Sequence, residues 1–191
     1  MLQPAPIDIY LEVNPNPNSL KFVLNKTLLS DGMSFDFPDV ESAKHAPLAK
    51  QLLEREEVTR VFYMGNFITI TKVEGLDWIE IQNDLKKEIK EFIEAGGDIL
   101  TQEIEIPEPN EEDSETVKKI KGILDEYIRP AVEGDGGAIT FHSYVDGVVK
   151  VLLQGACSGC PSSTITLKSG IENLMKTMLP NDVTSVEAES L

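Results

Sequence analysis

The chain of 191 residues holds two cysteines, in the run Cys157-Ser158-Gly159-Cys160. A C-x-x-C pair brings two sulfurs within reach of one metal ion or one edge of an iron–sulfur cluster. It is also the spacing of a redox-active dithiol. The local order reads strand, loop, Cys157 to Cys160, Pro161, helix. Gly155 and Gly159 allow a sharp turn and let backbone N–H groups approach the sulfurs. The start of the following helix sets partial positive charge beside them, which favours thiolate over thiol. A secreted disulfide framework needs more cysteines, more widely spaced.

Four chemistries fit this pair: a cluster, a structural zinc, a dithiol, and two plain buried cysteines. Ligand number separates the first two from the rest. A [4Fe–4S] cluster takes four Cys thiolates, and this chain supplies two. His45 falls in the other half of the chain. His142 lies in a strand pattern that turns it toward solvent, and neither histidine stands at ligand spacing from the cysteines. Two chains related by a two-fold axis supply four equivalent thiolates, for a cluster or for a zinc ion. A cluster held in that way is accessible and loosely retained, which suits delivery better than permanent electron transfer. A thioredoxin-type dithiol would stand near the start of its domain, with a long helix and further strands behind it. Here only residues 161–191 follow. The pair by itself leaves all four readings open.

The elements that must position the pair can be read on either side of it. Ser114 suits an N-cap, and Val117, Ile120, Ile123, Leu124, Tyr127 and Ile128 follow at helical spacing until Pro130 stops the helix. Residues 134–137 form a tight loop. Residues 138–145 and 148–153 alternate as two strands joined at Asp146-Gly147, a hairpin signal. Pro161 suits the first turn of a helix that runs on through 162–178. Ser162 and Thr164 serve the start of that helix, and 182–188 forms a last short strand. The first half predicts strands over 7–13, 20–24, 60–63 and 67–73, and helices over 46–56 and 77–95. Met64-Gly65-Asn66 makes the hairpin turn, and Gly96-Gly97 ends the second helix. Trp78, Ile81, Leu85, Ile89 and Phe92 form its core stripe.

Between the halves, residues 103–113 are mostly acid and proline, an extended and solvated composition. The expected organisation is an α+β chain of two small α/β-sandwich-like domains, 1–103 and 114–191, joined by an acidic, proline-containing linker at 104–113. The net charge of −16 disfavours nucleic acid and anionic membrane surfaces as partners. No apolar run approaches the length of a membrane span. The opening Met1-Leu2-Gln3-Pro4-Ala5-Pro6 lacks both a signal-peptide pattern and an Arg-rich transit pattern. The expectation is therefore a cytoplasmic protein, unless a leader was trimmed before residue 1.

The longer string around the pair is more specific. Leu152-Leu153-Gln154-Gly155-Ala156-Cys157-Ser158-Gly159-Cys160-Pro161-Ser162-Ser163-Thr164 closely resembles the signature of the NifU C-terminal domain family. So do Ile128-Arg129-Pro130-Ala131, Asp135-Gly136-Gly137, the run 146–151 and Leu179-Pro180, so that the resemblance spans roughly 114–189. The run 14–22, Ser42-Ala43, Pro47-Leu48-Ala49 and the run 61–72 resemble the Nfu-type N-terminal domain. The whole is similar to an Nfu-type iron–sulfur cluster carrier. One departure is Ala138, where that family often has an acidic residue after Asp-Gly-Gly.

The resemblance implies a [4Fe–4S] cluster bridging two protomers, with Cys157 and Cys160 as its ligands and a homodimer when loaded. It implies receipt from an upstream cluster scaffold and transfer to apo iron–sulfur client proteins, a binding role rather than an enzymatic one. The rivals are a scaffold that assembles clusters de novo and, further off, a C-x-x-C dithiol oxidoreductase. Asp135-Gly136-Gly137 reads chiefly as a turn demanding positive φ, with a place near the cluster loop as its other reading.

Overall fold

The computed structural model describes residues 6–101, 113–158 and 161–190, and the side chains of these except at 161–164 and 190. The chain divides into two compact units, Met1–Glu105 and Ile106–Leu191. All of the linker expected at 104–113 except Asp113 lies outside the described residues. Both units combine helices with a sheet, as an α+β chain should. Among the described residues no helix is long and apolar enough to cross a membrane.

The first unit contains β1 (Ile9–Val13), β2 (Ser19–Leu24), β3 (Ser34–Phe37), α1 (Pro47–Leu53), β4 (Val58–Met64), β5 (Phe67–Lys72) and α2 (Trp78–Glu94). Its sheet runs β1-β2-β5-β4-β3, with every neighbouring pair antiparallel. Met64 pairs with Phe67, so Gly65 and Asn66 close the hairpin, and Gly65 takes a φ of +50° that a side chain would resist. The Asp77 carboxylate caps α2 by accepting from the Ile79 N–H at 3.0 Å. From there Ile81, Leu85, Ile89 and Ile93 recur every fourth residue and are buried with Phe22, Val61, Ile68 and Ile70. Trp78 and Phe92 are half-buried against that core, and the Trp78 indole N–H donates to the Pro17 carbonyl at 3.1 Å. Strand β3 was not legible in the sequence. Its alternation, Ser34-Phe35-Asp36-Phe37, lasts only four residues, and the strand is held by pairing with β4. Phe37 meets Tyr63 edge-on at 5.2 Å, and Asp36 forms an ion pair with Arg60.

The second unit contains α3 (Glu115–Ile123), α4 (Arg129–Gly134), β6 (Gly137–Val145), β7 (Val148–Gly155), α5 (Pro161–Met178) and β8 (Ser185–Ser190). The Ser114 hydroxyl caps α3 by accepting from the Val117 N–H at 3.2 Å. The helix does not stop at Pro130, as its sequence suggests. A π-helical turn over Leu124–Ile128 leads straight into α4, where Pro130 sits in the first turn. There the missing N–H of proline is one the helix start leaves unpaired in any case. Asp146 and Gly147, with φ of +49° and +83°, close the β6–β7 hairpin as the sequence predicts. β7 is the central strand, antiparallel to β6 and parallel to β8, so β7, α5 and β8 form a crossover unit. Its core gathers Ile120, Val132, Ile139, Val149, Val151, Leu153, Ile171, Met175 and Val186.

Glu172 ties α5 to the start of β8. One carboxylate oxygen accepts from Lys176 at 2.6 Å and the other from the Val186 N–H at 3.1 Å. The Lys176 ammonium first, and then that N–H, hold the Glu172 carboxyl below the ordinary glutamate value. A carboxyl whose folded-state pKa is lowered adds stability above its unfolded-state pKa. That contribution is lost as pH falls through the folded-state value.

Two outcomes follow for this unit. Leu153 is fully buried in β7, so Leu153→Ala should destabilise the unit by about 2–5 kcal/mol, read as lost hydrogen-exchange protection of the β6–β8 amides. Acidification from about pH 5 to about pH 3 should lower the melting temperature of the wild-type unit more than that of Glu172→Gln. Equal losses in the two proteins would refute the assigned role of Glu172.

Candidate metal centre

The cysteine loop leaves the C-terminal end of β7, the central strand, and enters α5. In open sheets with parallel pairing, that end of a strand is where ligands bind. Gly155, at φ +64°, turns the chain off the strand, as its place before the cysteines suggests. The Ser158 N–H then donates to the Gly155 carbonyl at 3.0 Å, which tightens the turn around Cys157.

A second loop is fastened to the first. The end of α4 is closed by the Asp135 N–H donating to Ala131 and the Gly136 N–H to Glu133, both at 3.0 Å. The Gly136 carbonyl accepts from the Ala156 N–H at 3.2 Å, and Gly137 pairs with Gly155 across the β6–β7 ladder. The continuous path from α3 through the π-helical turn into α4 therefore delivers Asp135-Gly136-Gly137 directly onto the cysteine loop.

The two glycines of that string are there for different reasons. Gly136 has φ +81°, the turn conformation expected from the sequence. Gly137 takes no such angle, but a Cβ on it would stand 2.5 Å from the Gln154 carbonyl oxygen, 3.0 Å from Cys157 Sγ and 3.2 Å from Cys157 N. The Gln154 carbonyl thus approaches the start of β6 at a distance that only glycine allows, and the Cys157 sulfur and N–H stand tightly beside it. Sequence reasoning gave both glycines the first reason and missed the second. The signal was present as a second glycine where the turn itself needs one.

Cys157 is 6% exposed and packs into the core of the second unit beside residues such as Leu153 and Ile139. Ser158 is 3% exposed, and its hydroxyl oxygen is buried with no hydrogen-bond partner among the described residues. Cys160 and Gly159 lie outside the described residues, which resume at Pro161, the first residue of α5. His142 is exposed and occupies the bulge between Phe141 and Ser143, in agreement with its reading as a surface strand residue. His45 belongs to the first unit. Among the described residues no three His, Cys, Asp or Glu side chains converge as a metal site. Among the described residues, the sulfur at this site is that of Cys157, seated just after the end of β7 and ahead of α5.

Comparison with known proteins shows the family of the chain. Residues 9–96 match the family model for the scaffold protein Nfu/NifU N terminal, and residues 120–187 match the NifU-like domain. A protein of Drosophila sechellia named NFU1 iron-sulfur cluster scaffold homolog, mitochondrial, is 43% identical over 94% of this chain and 64% of its own length. The Homo sapiens protein of the same name is 43% identical over 94% of this chain and 70% of its own length. A solution structure of a NifU-like protein from Saccharomyces cerevisiae aligns with a TM-score of 0.48 at 25% identity, over 54% of this chain and 92% of that one. The chain thus spans about two thirds of the length of the curated relatives it matches. Both are named as mitochondrial, which overturns the cytoplasmic expectation drawn from residues 1–6. A targeting leader lies outside the folded domains and is removed on import, so the composition of the first folded residues carries no record of the compartment. With both domains matched in order and 43% identity to the human relative, the chain belongs to the Nfu family.

Proposed function

We propose that this protein carries a [4Fe–4S] cluster between two copies of itself and passes it to apo iron–sulfur proteins. Cys157 and Cys160 of each copy are the ligands. The observation that carries the reading is the count: two cysteines per chain, where the cluster takes four thiolates. The seating of Cys157 at the end of β7 supports it, because both loops that hold that residue are fixed by backbone hydrogen bonds. The cluster is cargo, and the role is binding and transfer rather than catalysis. The names of the relatives, which include the word mitochondrial, support a mitochondrial place for this work.

Transfer proceeds by ligand exchange at iron. A client cysteine thiol loses its proton and its sulfur bonds to an iron atom. The Fe–S bond to Cys157 or Cys160 breaks, and the released thiolate takes up a proton. One bond forms for each that breaks, and no electrons are gained or lost. A second reading, assembly of the cluster de novo on the same ligands, is favoured by the word scaffold in the names of the relatives. The two differ in the source of iron and sulfide. A carrier loads from an already loaded upstream scaffold faster than from ferrous iron and sulfide released by a desulfurase, and a scaffold shows the reverse order.

Anaerobic loading of the full chain should give about one cluster per two chains and a doubling of the native mass. Cys157→Ala and Cys160→Ala should each reduce bound iron to background. A cluster retained by a single chain, or unaltered iron in Cys157→Ala, would be incompatible with shared ligands. Gly137→Ala tests the seat rather than the ligand. Its added Cβ should destabilise the second unit by about 1–3 kcal/mol and lower iron retention. Gly134→Ala, whose Cβ would meet nothing within 4 Å, should retain wild-type iron.

A further inference from the structure

Ser158 presents a polar group that the described residues leave unused. The residue is 3% exposed, and its hydroxyl oxygen is buried with no hydrogen-bond partner among the described residues. Among them only its backbone is engaged, through the 3.0 Å bond from its N–H to the Gly155 carbonyl. Within the described residues of the second unit, one other buried side-chain atom is left in this state, Arg129 Nε. That guanidinium is already paired with Asp125 through another nitrogen. Serine has no other polar side-chain atom. A buried donor without an acceptor weakens a fold, and its persistence calls for a cause.

The position suggests the cause. Ser158 is the residue immediately after Cys157 and two before Cys160. A hydroxyl supplies one donated hydrogen. Ligand thiolates and bridging sulfides are the acceptors that a bound cluster would bring to this loop, and they carry its negative charge. Resting on the cluster-carrying reading above, we infer that the Ser158 hydroxyl donates a hydrogen bond to a sulfur of the bound cluster and so tunes it. A donor on cluster sulfur stabilises the more negative, reduced state, so Ser158 raises the reduction potential. Ser158 is a positioning and tuning residue here, with Cys157 and Cys160 as the ligands.

The test uses full-length wild type, Ser158→Ala and Ser158→Thr, each loaded anaerobically with iron and sulfide. Circular dichroism of the iron-free proteins checks that all three fold alike. The readouts are iron and sulfide content, reduction potential and the Fe–S stretching frequencies. With equal loading, Ser158→Ala should show a more negative potential, shifted frequencies and loss of their response to D2O, while Ser158→Thr should follow the wild type. Loading lost in Ser158→Ala but kept in Ser158→Thr also supports the inference, since only the second retains a hydroxyl. A loaded Ser158→Ala with wild-type potential and frequencies overturns this inference alone. A wild type that retains no iron and sulfide overturns the cluster reading and this inference together.

Discussion

The close approach of the Gln154–Cys157 turn to Gly137 is the constraint on which the second unit is arranged. A backbone carbonyl oxygen, that of Gln154, 2.5 Å from the place of a Cβ requires that there be no Cβ, and the Cys157 sulfur stands beside it at 3.0 Å. That requirement fixes Gly137 at the start of β6, opposite Gly155 at the end of β7. It also fixes what leads up to β6, because the chain must arrive at Gly137 without a side chain in the way. The path through the π-helical turn and α4 does this, and Gly136 supplies the left-handed turn at its end. π-helical turns recur near functional sites, where an extra residue re-aims the chain without breaking the helix. Here the re-aimed segment ends on the cysteine loop.

Burial of Cys157 has a double meaning for a residue proposed to bind cargo and release it. A thiol behaves as a small hydrophobe, so the iron-free loop can close on its core without leaving a charge in it. A fold of this kind does not need metal to stand, in contrast to small zinc domains whose folding energy comes from the ion. The core of the second unit, with Val149, Val151, Leu153, Ile171 and Met175 fully buried, is built from ordinary apolar packing. On the proposed function, cluster binding is thereby separated from folding, which is what a protein that loads and unloads requires.

The sequence made most of this framework legible. The helices of the first unit, the β6–β7 hairpin at Asp146-Gly147 and the strand-to-helix setting of the cysteines were all readable, because periodicity and turn chemistry act locally. What escaped depends on residues far apart in the chain. Strand β3 exists through its pairing with β4, and four residues of alternation carry too little pattern to announce it. Pro130 reads as a stop sign until a π-helical turn places it in a first turn, where proline is welcome. Gly137 reads as half of a turn until the fold brings Cys157 against it. The compartment escaped for a different reason, since no folded residue is selected to record it.

The proposed half-site has consequences beyond its geometry. When two chains must meet to complete four ligands, the affinity for cargo depends on protein concentration as well as on the ligands themselves. Dimer and cluster then stabilise each other, and loss of either releases both. A client that offers its own thiolates need displace only one ligand before the shared arrangement loses its symmetry and its hold. The acidic character of the chain, at −16, limits how closely two copies approach without compensation. A dimer of the proposed kind is completed by its bridging cargo, and this favours release over storage. For that reason the carrier reading fits the half-site better than permanent electron transfer does, while a scaffold would use the same ligands and differ only in how it is filled.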